Sequence, residues 1–386
     1  MILEPTRAEI TRDHFPPPKA QTGISVNFEP TPSVCLLDAP FFCQHGFSFE
    51  CESRHPGNRR GWEGNRMIVP KQYLAAVCLL TIIGLLMLCP SGRAQSFSHL
   101  KLNPKHVQWA DLAFHAKNFW VEVSTRLKLK SVPAADVAAA LLSSPTGAPV
   151  KTTRTEAYQM AIHTTIDPTF RSPVNIHNSI WFNPENTAAL GRVRLRRGDE
   201  HFKKMYRFTD QGVFRHRVEP KNKKEASLEP AHWTAIKDSF YPYDLTRTGC
   251  PFVSERSLLV FILSTADFSK NNDPLSLCVF GKRQLHRVQL QAQGLHPLNV
   301  NYIEKTQQAT IRKQGTINTL KIAITAEPMD SVLKEAENFS FLGFHDNIVI
   351  YIEPVSRLPI QAGGVIPTIG AAQLQLNEVV WKLKSE

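Results

Sequence analysis

The residues best placed to do chemistry in this 386-residue chain are cations. Between Arg192 and Lys224, twelve Lys and Arg stand against four carboxylates, Asp199, Glu200, Asp210 and Glu219. Arg192, Arg194 and Arg196 are two residues apart, so on a β-strand they project from one face. Guanidinium groups in such a row recognise carboxylate or phosphate through paired N–H donors. Arg192, Arg194, Arg196, Arg207, Arg215 and Arg217 are therefore candidate anion-binding residues. The same row also reads as a solvated strand face whose charges discourage edge aggregation.

Other reactive side chains lack a catalytic arrangement. The sequence holds no G-x-S-x-G elbow, no H-E-x-x-H and no G-x-x-x-x-G-K-[ST] loop. Asp199 and Glu200 are adjacent, which on a strand sends them to opposite faces and separates a would-be acid/base pair. His201 and His216 could face each other across a hairpin, where a metal is conceivable. They read equally as polar strand residues, and no metal or cofactor is assigned. Gly363-Gly364 with Gly370 reads as a turn before the final strand. No catalytic residue is expected, and an unrecognised hydrolase is the least favoured reading.

The compartment follows from residues 67–94. Lys71 is followed by an uncharged stretch, Leu74 to Leu88; Pro90 ends it, and Gly92 and Ala94 occupy positions −3 and −1 of a cut before Gln95. That is the layout of a cleaved signal peptide. Sixty-six residues precede it. Trp62-Glu63-Gly64 can be encoded only as TGG-GAR-GGN, a purine-rich run resembling a ribosome-binding site just before Met67. Met67 is thus the expected start, with residues 1–66 translated non-coding sequence or a disordered extension. The expected product is exported, periplasmic, and carries 36 Lys and Arg against 26 Asp and Glu. Such a charge favours acidic partners. In that compartment these are lipid headgroups or acidic glycans rather than nucleic acid, and peripheral membrane contact is compatible. Cys250 and Cys278 are the two cysteines left after the cut. They form either a disulfide, as an oxidising compartment favours, or two separate buried thiols.

The elements that must hold these residues are strands. Val121, Val123, Leu127 and Leu129 continue the parity of Phe119 and alternate with Glu122, Ser124, Arg126, Lys128 and Lys130. Tyr158, Met160 and Ile162 repeat the pattern, as do Val193 and Leu195 between the arginines. Phe202, Lys204, Tyr206 and Phe208 lead into a turn at Asp210-Gln211-Gly212, with Phe214, His216 and Val218 on the return strand. Further strands are expected around Leu275–Val279, His286–Leu290, Leu298–Tyr302, Leu320–Ile324, Ile348–Ile352 and Leu374–Leu376. Ala134–Leu142 predicts a short helix, and Ser254–Leu263 a second with Ser254 as N-cap and Glu255 at its positive end. About ten strands without a βαβ rhythm predict a mainly β fold: a curved antiparallel sheet or incomplete β-barrel with one or two short helices. Residues 95–116 form a polar lead-in, and 117–386 the β-rich half-barrel domain.

The C-terminal half carries a resemblance. Ser257-Leu258-Leu259 opens a short helix, Asp273-Pro274-Leu275 leads to Val279-Phe280-Gly281-Lys282, and Ile348–Ile352 is followed by Ser356-Arg357-Leu358-Pro359-Ile360. This pattern resembles a family of secreted bacterial domains of unknown function. The resemblance implies an incomplete antiparallel barrel similar in shape to the lipoprotein carriers LolA and LolB. It implies no catalytic residues. Phe119, Val121, Tyr206, Phe208, Val288 and Tyr302 are the expected contributors to an apolar concave surface. The expected role is a non-enzymatic binder or carrier of a lipid or anionic envelope glycoconjugate, or alternatively an assembly factor docking a partner through the basic face. A large apolar cavity would favour carriage; a barrel filled by its own side chains would count against it.

Overall fold

The computed structural model describes residues 102–382, apart from 153, 269–273, 330–337 and 368. The stretch 67–94 expected to be a signal peptide, the residues before it and the start of the lead-in lie outside the described residues.

Fifteen strands form one sheet. They are β1 (Trp109–Lys117), β2 (Val121–Pro133), β3 (Glu156–Pro168), β4 (Val174–Phe182), β5 (Ala189–Arg197), β6 (Phe202–Phe208), β7 (Gly212–Glu219) and β8 (Ala235–Pro242). Then come β9 (Ser254–Glu255), β10 (Leu275–Phe280), β11 (Leu285–Lys305), β12 (Thr310–Pro328), β13 (Asp346–Ile352), β14 (Pro359–Ile366) and β15 (Gly370–Trp381). The spatial order is β8 back through β1, then β15 back to β9, so β8 and β9 are the free edges. Pairing is antiparallel except at β9–β10 and where Ile303–Lys305 of β11 joins Glu378–Val380 of β15. That last pairing closes β11–β15 into a ring, from which β1–β8 continue as an open wall. The incomplete antiparallel barrel is as expected from the alternating pattern.

One face of this sheet is apolar and wraps a single helix, Leu259–Thr265, whose seven residues are all buried. A helix apolar on every side cannot sit at a surface, and this one plugs the lumen. Phe261 packs edge-on against Phe182 at 4.9 Å and against Tyr158 at 6.0 Å. Leu112, Leu127, Met160, Ile180, Ile322 and Ile350 complete the same core. Trp109 donates its indole N–H to Ser264 at 3.1 Å, which satisfies a polar group inside that core. Arg357, held at φ 57°, donates to the carbonyl of Ala266 at 2.7 Å just past the helix end.

The extra strands have physical explanations. β1 falls within the expected polar lead-in, so the boundary at 117 cuts through a strand paired on both sides. Its register shifts between Trp109 and Asp111 and again at Ala113, which breaks the period-2 signal. In β4, Pro173 and Pro184 flank Val174, Ile176, Ile180 and Phe182 rather than interrupting them. Leu285–Lys305 is one strand, not two, with an irregularity between Ala292 and Leu295. Gly363 and Gly364 are not a turn but lie inside β14. A Cβ on Gly364 would come within 2.9 Å of Phe344 and of the Asp346 carbonyl, a close approach that only glycine tolerates. Ser254 is not an N-cap; it pairs in β9, and the Glu255 carboxylate instead accepts from Ser257 N at 2.7 Å. Phe119 is 78% exposed at the β1–β2 turn and takes no part in the concave surface. Tyr206, Phe208, Val288 and Tyr302 are buried.

Cys250 and Cys278 form a disulfide, with Cα atoms 5.9 Å apart. It ties the segment after β8 to β10 within a second apolar cluster that includes Phe208, Val213, Tyr243 and Phe280.

Candidate anion-binding site

Register assembles the cations. Arg192 of β5 stands opposite Tyr206 of β6, and Arg194 opposite Lys204. Tyr206 in turn faces Arg215 of β7, and Lys204 faces Arg217. On the other side Arg192 and Arg194 are opposite Ile180 and Asn178 of β4. Ile180 aligns with Met160, and Met160 with Leu129, so these cations lie on the same concave face as the apolar core. Five of the six candidates, Arg192, Arg194, Arg196, Arg215 and Arg217, are thereby brought together. Arg207 pairs with Gly191 and Phe214 on the opposite face, so it leaves the set. Its guanidinium reaches the Leu190 carbonyl at 3.4 Å, and burial lowers its pKa.

The face is not solvated. Arg192, Lys204 and Arg215 are 4%, 9% and 8% exposed, whereas Arg196 and Arg217, nearer the strand ends, keep about a quarter of their side chains in water (23% and 26%). The cluster is thus a buried well of cations whose exposure rises towards the end where β5 turns into β6.

Arg192 is fully engaged. It donates to Glu255 at 2.6 Å and to Asn178 at 2.9 Å, and it lies 5.0 Å from the Tyr206 ring. Glu255 has no solvent exposure and also caps Ser257. The other members are less well compensated. Arg196 pairs with Asp199 at 2.6 Å, and Arg217 with Glu219. Arg215 donates to the Ser239 hydroxyl at 2.8 Å and stacks 5.2 Å over Tyr241. Among the described residues, Arg194, Lys204 and Arg215 have no carboxylate partner. The Nε atoms of Arg196, Arg215 and Arg217 are buried without an acceptor.

One ring collects three of these charges. The Phe202 centroid lies 3.9 Å from the Lys204 ammonium, 5.1 Å from the Arg217 guanidinium and 5.8 Å from that of Arg194. An aromatic face attracts cations, but each contact is worth only about 0.5–2 kcal/mol, less than a buried charge loses in hydration. Burial, reinforced by Arg217, Arg194 and Arg215, pulls the Lys204 ammonium down to about 7. Burial likewise brings Arg194 down to about 9, with Arg192, Arg256 and Arg196 adding repulsion. Burial also lowers Arg217, with Arg215 behind it. The site is a set of convergent donors held by strand backbone and short of negative charge.

Lys204, Phe202, Glu255, Asn178 and Ser239 complete the site and were not among the sequence candidates. Lys204 carried a usable signal, since it shares strand parity with Tyr206 and Phe208. Glu255 carried none, because its role depends on a segment 63 residues from Arg192 in the chain.

His201 and His216 do not meet. His201 stacks near Trp233 and accepts from Gly198 N at 3.3 Å, while His216 pairs with Asp238 at 2.7 Å. Among the described residues, no three His, Cys, Asp or Glu side chains gather as metal ligands do. A separate groove of about 770 Å3 runs from the β1–β2 turn along β13–β15, lined by Lys117, Val123, Phe344, Ile366 and Leu374 among others. It shares no residue with the cation cluster.

No family model matches the chain, and no curated protein matches it. Among solved structures, the chain is similar to a β-barrel-like protein of a domain of unknown function from Brucella abortus. The identity is 6% and the TM-score 0.35, over 74% of this chain and all of that one. This is a distant likeness of fold.

Proposed function

We propose that this chain is an exported cell-envelope protein that binds an anionic envelope component, without catalysis, in the cationic well of its half-barrel. The observation that supports it is the buried excess of cations around Phe202. Three of the six concave cations have no carboxylate among the described residues, and three Nε donors lack acceptors. An uncompensated buried charge costs several kcal/mol, so a ligand that supplies negative charge recovers that cost on binding. A phosphate or carboxylate group matches both the donors and the charge. The helix Leu259–Thr265 fills the apolar half of the lumen, which weighs against carriage of an acyl chain there. The recognised group is therefore a headgroup or an acidic glycan rather than a hydrocarbon tail.

Calorimetric titration with inorganic pyrophosphate, a compact polyanion, tests this reading. Binding should weaken with salt, and Arg194→Met should lower affinity by about tenfold or more, the value of one charge-assisted hydrogen bond. The same variant should be at least as stable as the parent, because it removes a buried charge. Absence of binding, or parent-like affinity in both Arg194→Met and Lys204→Met, would sink the proposal.

A further inference from the structure

Nine large hydrophobic side chains are exposed among the described residues. Six of them, Phe119, Trp120, Phe170, Leu228, Ile236 and Ile369, lie at one end of the molecule. That end carries the β1–β2, β3–β4, β7–β8 and β14–β15 turns, because strands that pair antiparallel in succession place alternate turns on the same rim. Val355, at 90% exposure, sits in the β13–β14 turn at the opposite end.

The centre of this rim is aromatic. Phe119 meets Trp120 edge-on at 4.8 Å, and Trp120 approaches Phe170 at 6.0 Å across the neighbouring hairpin. The three rings are 78%, 60% and 77% exposed, so their packing against each other hides little of them from water. Arg171 flanks them, as does Lys117, which pairs with Glu122 at 2.8 Å.

The backbone beneath the rings is satisfied internally. Asn118 Oδ1 accepts from Trp120 N and Val121 N, both at 2.9 Å. Asn118 N donates to the Val121 carbonyl at 3.0 Å, and Thr169 N to that of Trp120 at 2.9 Å. The Thr169 hydroxyl donates to the Phe119 carbonyl at 3.1 Å.

We propose that this rim docks on a lipid bilayer, with Phe119, Trp120 and Phe170 entering the headgroup layer and Lys117 and Arg171 meeting phosphates. Phe and Trp bodies prefer that layer, and nearby cations add attraction to anionic lipid. A protein partner would require a broad continuous patch, on the order of 800 Å2. Here the apolar side chains are instead spread over separate turns. The proposal stands on the rim alone and does not depend on what the cation well holds. The two features nonetheless share an end, since the partly exposed Arg196 and Arg217 lie towards the same rim.

Co-sedimentation of the full chain with vesicles of equimolar phosphatidylcholine and phosphatidylglycerol tests it. The parent should sediment with vesicles. Trp120→Ala with Phe170→Ala should lower the partition coefficient at least about tenfold, with an unchanged melting temperature because both rings are exposed. Val355→Ser, at the far end, should bind vesicles like the parent. Retained binding by the double variant would overturn the proposal, as would equal losses in Val355→Ser. A double variant that changes self-association on gel filtration but still sediments would identify the rim as a protein contact and overturn it too.

Discussion

The concave face has two halves built on the same strand geometry and finished in opposite ways. Along β1–β3 and β12–β15 the core side is built of residues such as Leu112, Leu127, Met160, Ile322, Ile350 and Leu374, and the helix Leu259–Thr265 supplies the complementary apolar surface from the same chain. Along β5–β7 the same side carries Arg192, Arg194, Arg196, Lys204, Arg215 and Arg217 with Phe202 and Tyr206 among them, and the chain supplies Glu255, Asp199 and Glu219 as counter-charges. The first half is complete in isolation. The second is left with buried positive charge, which lowers stability unless something else neutralises it. Such a cluster beside a well-packed core forgoes stability at one place only, and that contrast is what the proposed anion binding rests on.

The contrast can be broken from either side. The largest effect is expected in the apolar half, where Phe261→Ala should cost about 3–5 kcal/mol in denaturant unfolding, because the plug cannot collapse into the hole it leaves. A loss under about 1 kcal/mol would mean the core is not as tight as described. Next, Glu255→Ala should cost about 3 kcal/mol by stranding Arg192, whereas Arg192→Met with Glu255→Leu should cost much less. Equal losses in both variants would show that the pair matters for packing and not for charge. The smallest effect is on pH dependence. Lys204 has its pKa lowered from 10.5 to about 7, so between those values the unfolded chain binds the proton and the folded chain does not. Stability contributed at this site should therefore rise with pH across that window and level off above it, by the sign of proton linkage. Anion binding should move the other way, weakening above about pH 7 as the ammonium is lost. A Lys204→Met variant should flatten both trends, and a profile unchanged by that substitution would remove Lys204 from the site.

Much of the fold was legible because strand alternation is a local signal. The parity of Val121–Lys130, Met160–Ile162 and Phe202–Phe208 predicted β2, β3 and β6, and the Asp210-Gln211-Gly212 turn joins β6 to β7 as expected. β1 escaped because two register shifts scramble its parity. β8 escaped because an edge strand with Lys237, Asp238 and Ser239 along it has little apolar pattern to show. The cysteines narrowed to a pair by elimination, but their bridging follows from the fold, which brings residues 28 apart to within 5.9 Å.

For the site itself, the chain alone determined that Arg192, Arg194 and Arg196 share a face, because side chains on a strand alternate with period two. It also predicted a short helix ending at Leu263, whose complete burial the structure then showed. Tertiary structure decided the rest. Alternation says which residues go together but not which side of the sheet is concave, and only the curl of the sheet around the central helix turned those arginines inward. Inter-strand register, set over the whole sheet, added Arg215, Arg217 and Lys204 to them and sent Arg207 to the other face. Glu255 reached Arg192 because β9 pairs with β10 at the far edge of the sheet. The aromatic rim arose in the same way, from turns distant in sequence that antiparallel pairing gathers at one end. Each of these depends on contacts between distant segments, where the energy of a position is set by what the rest of the chain brings to it.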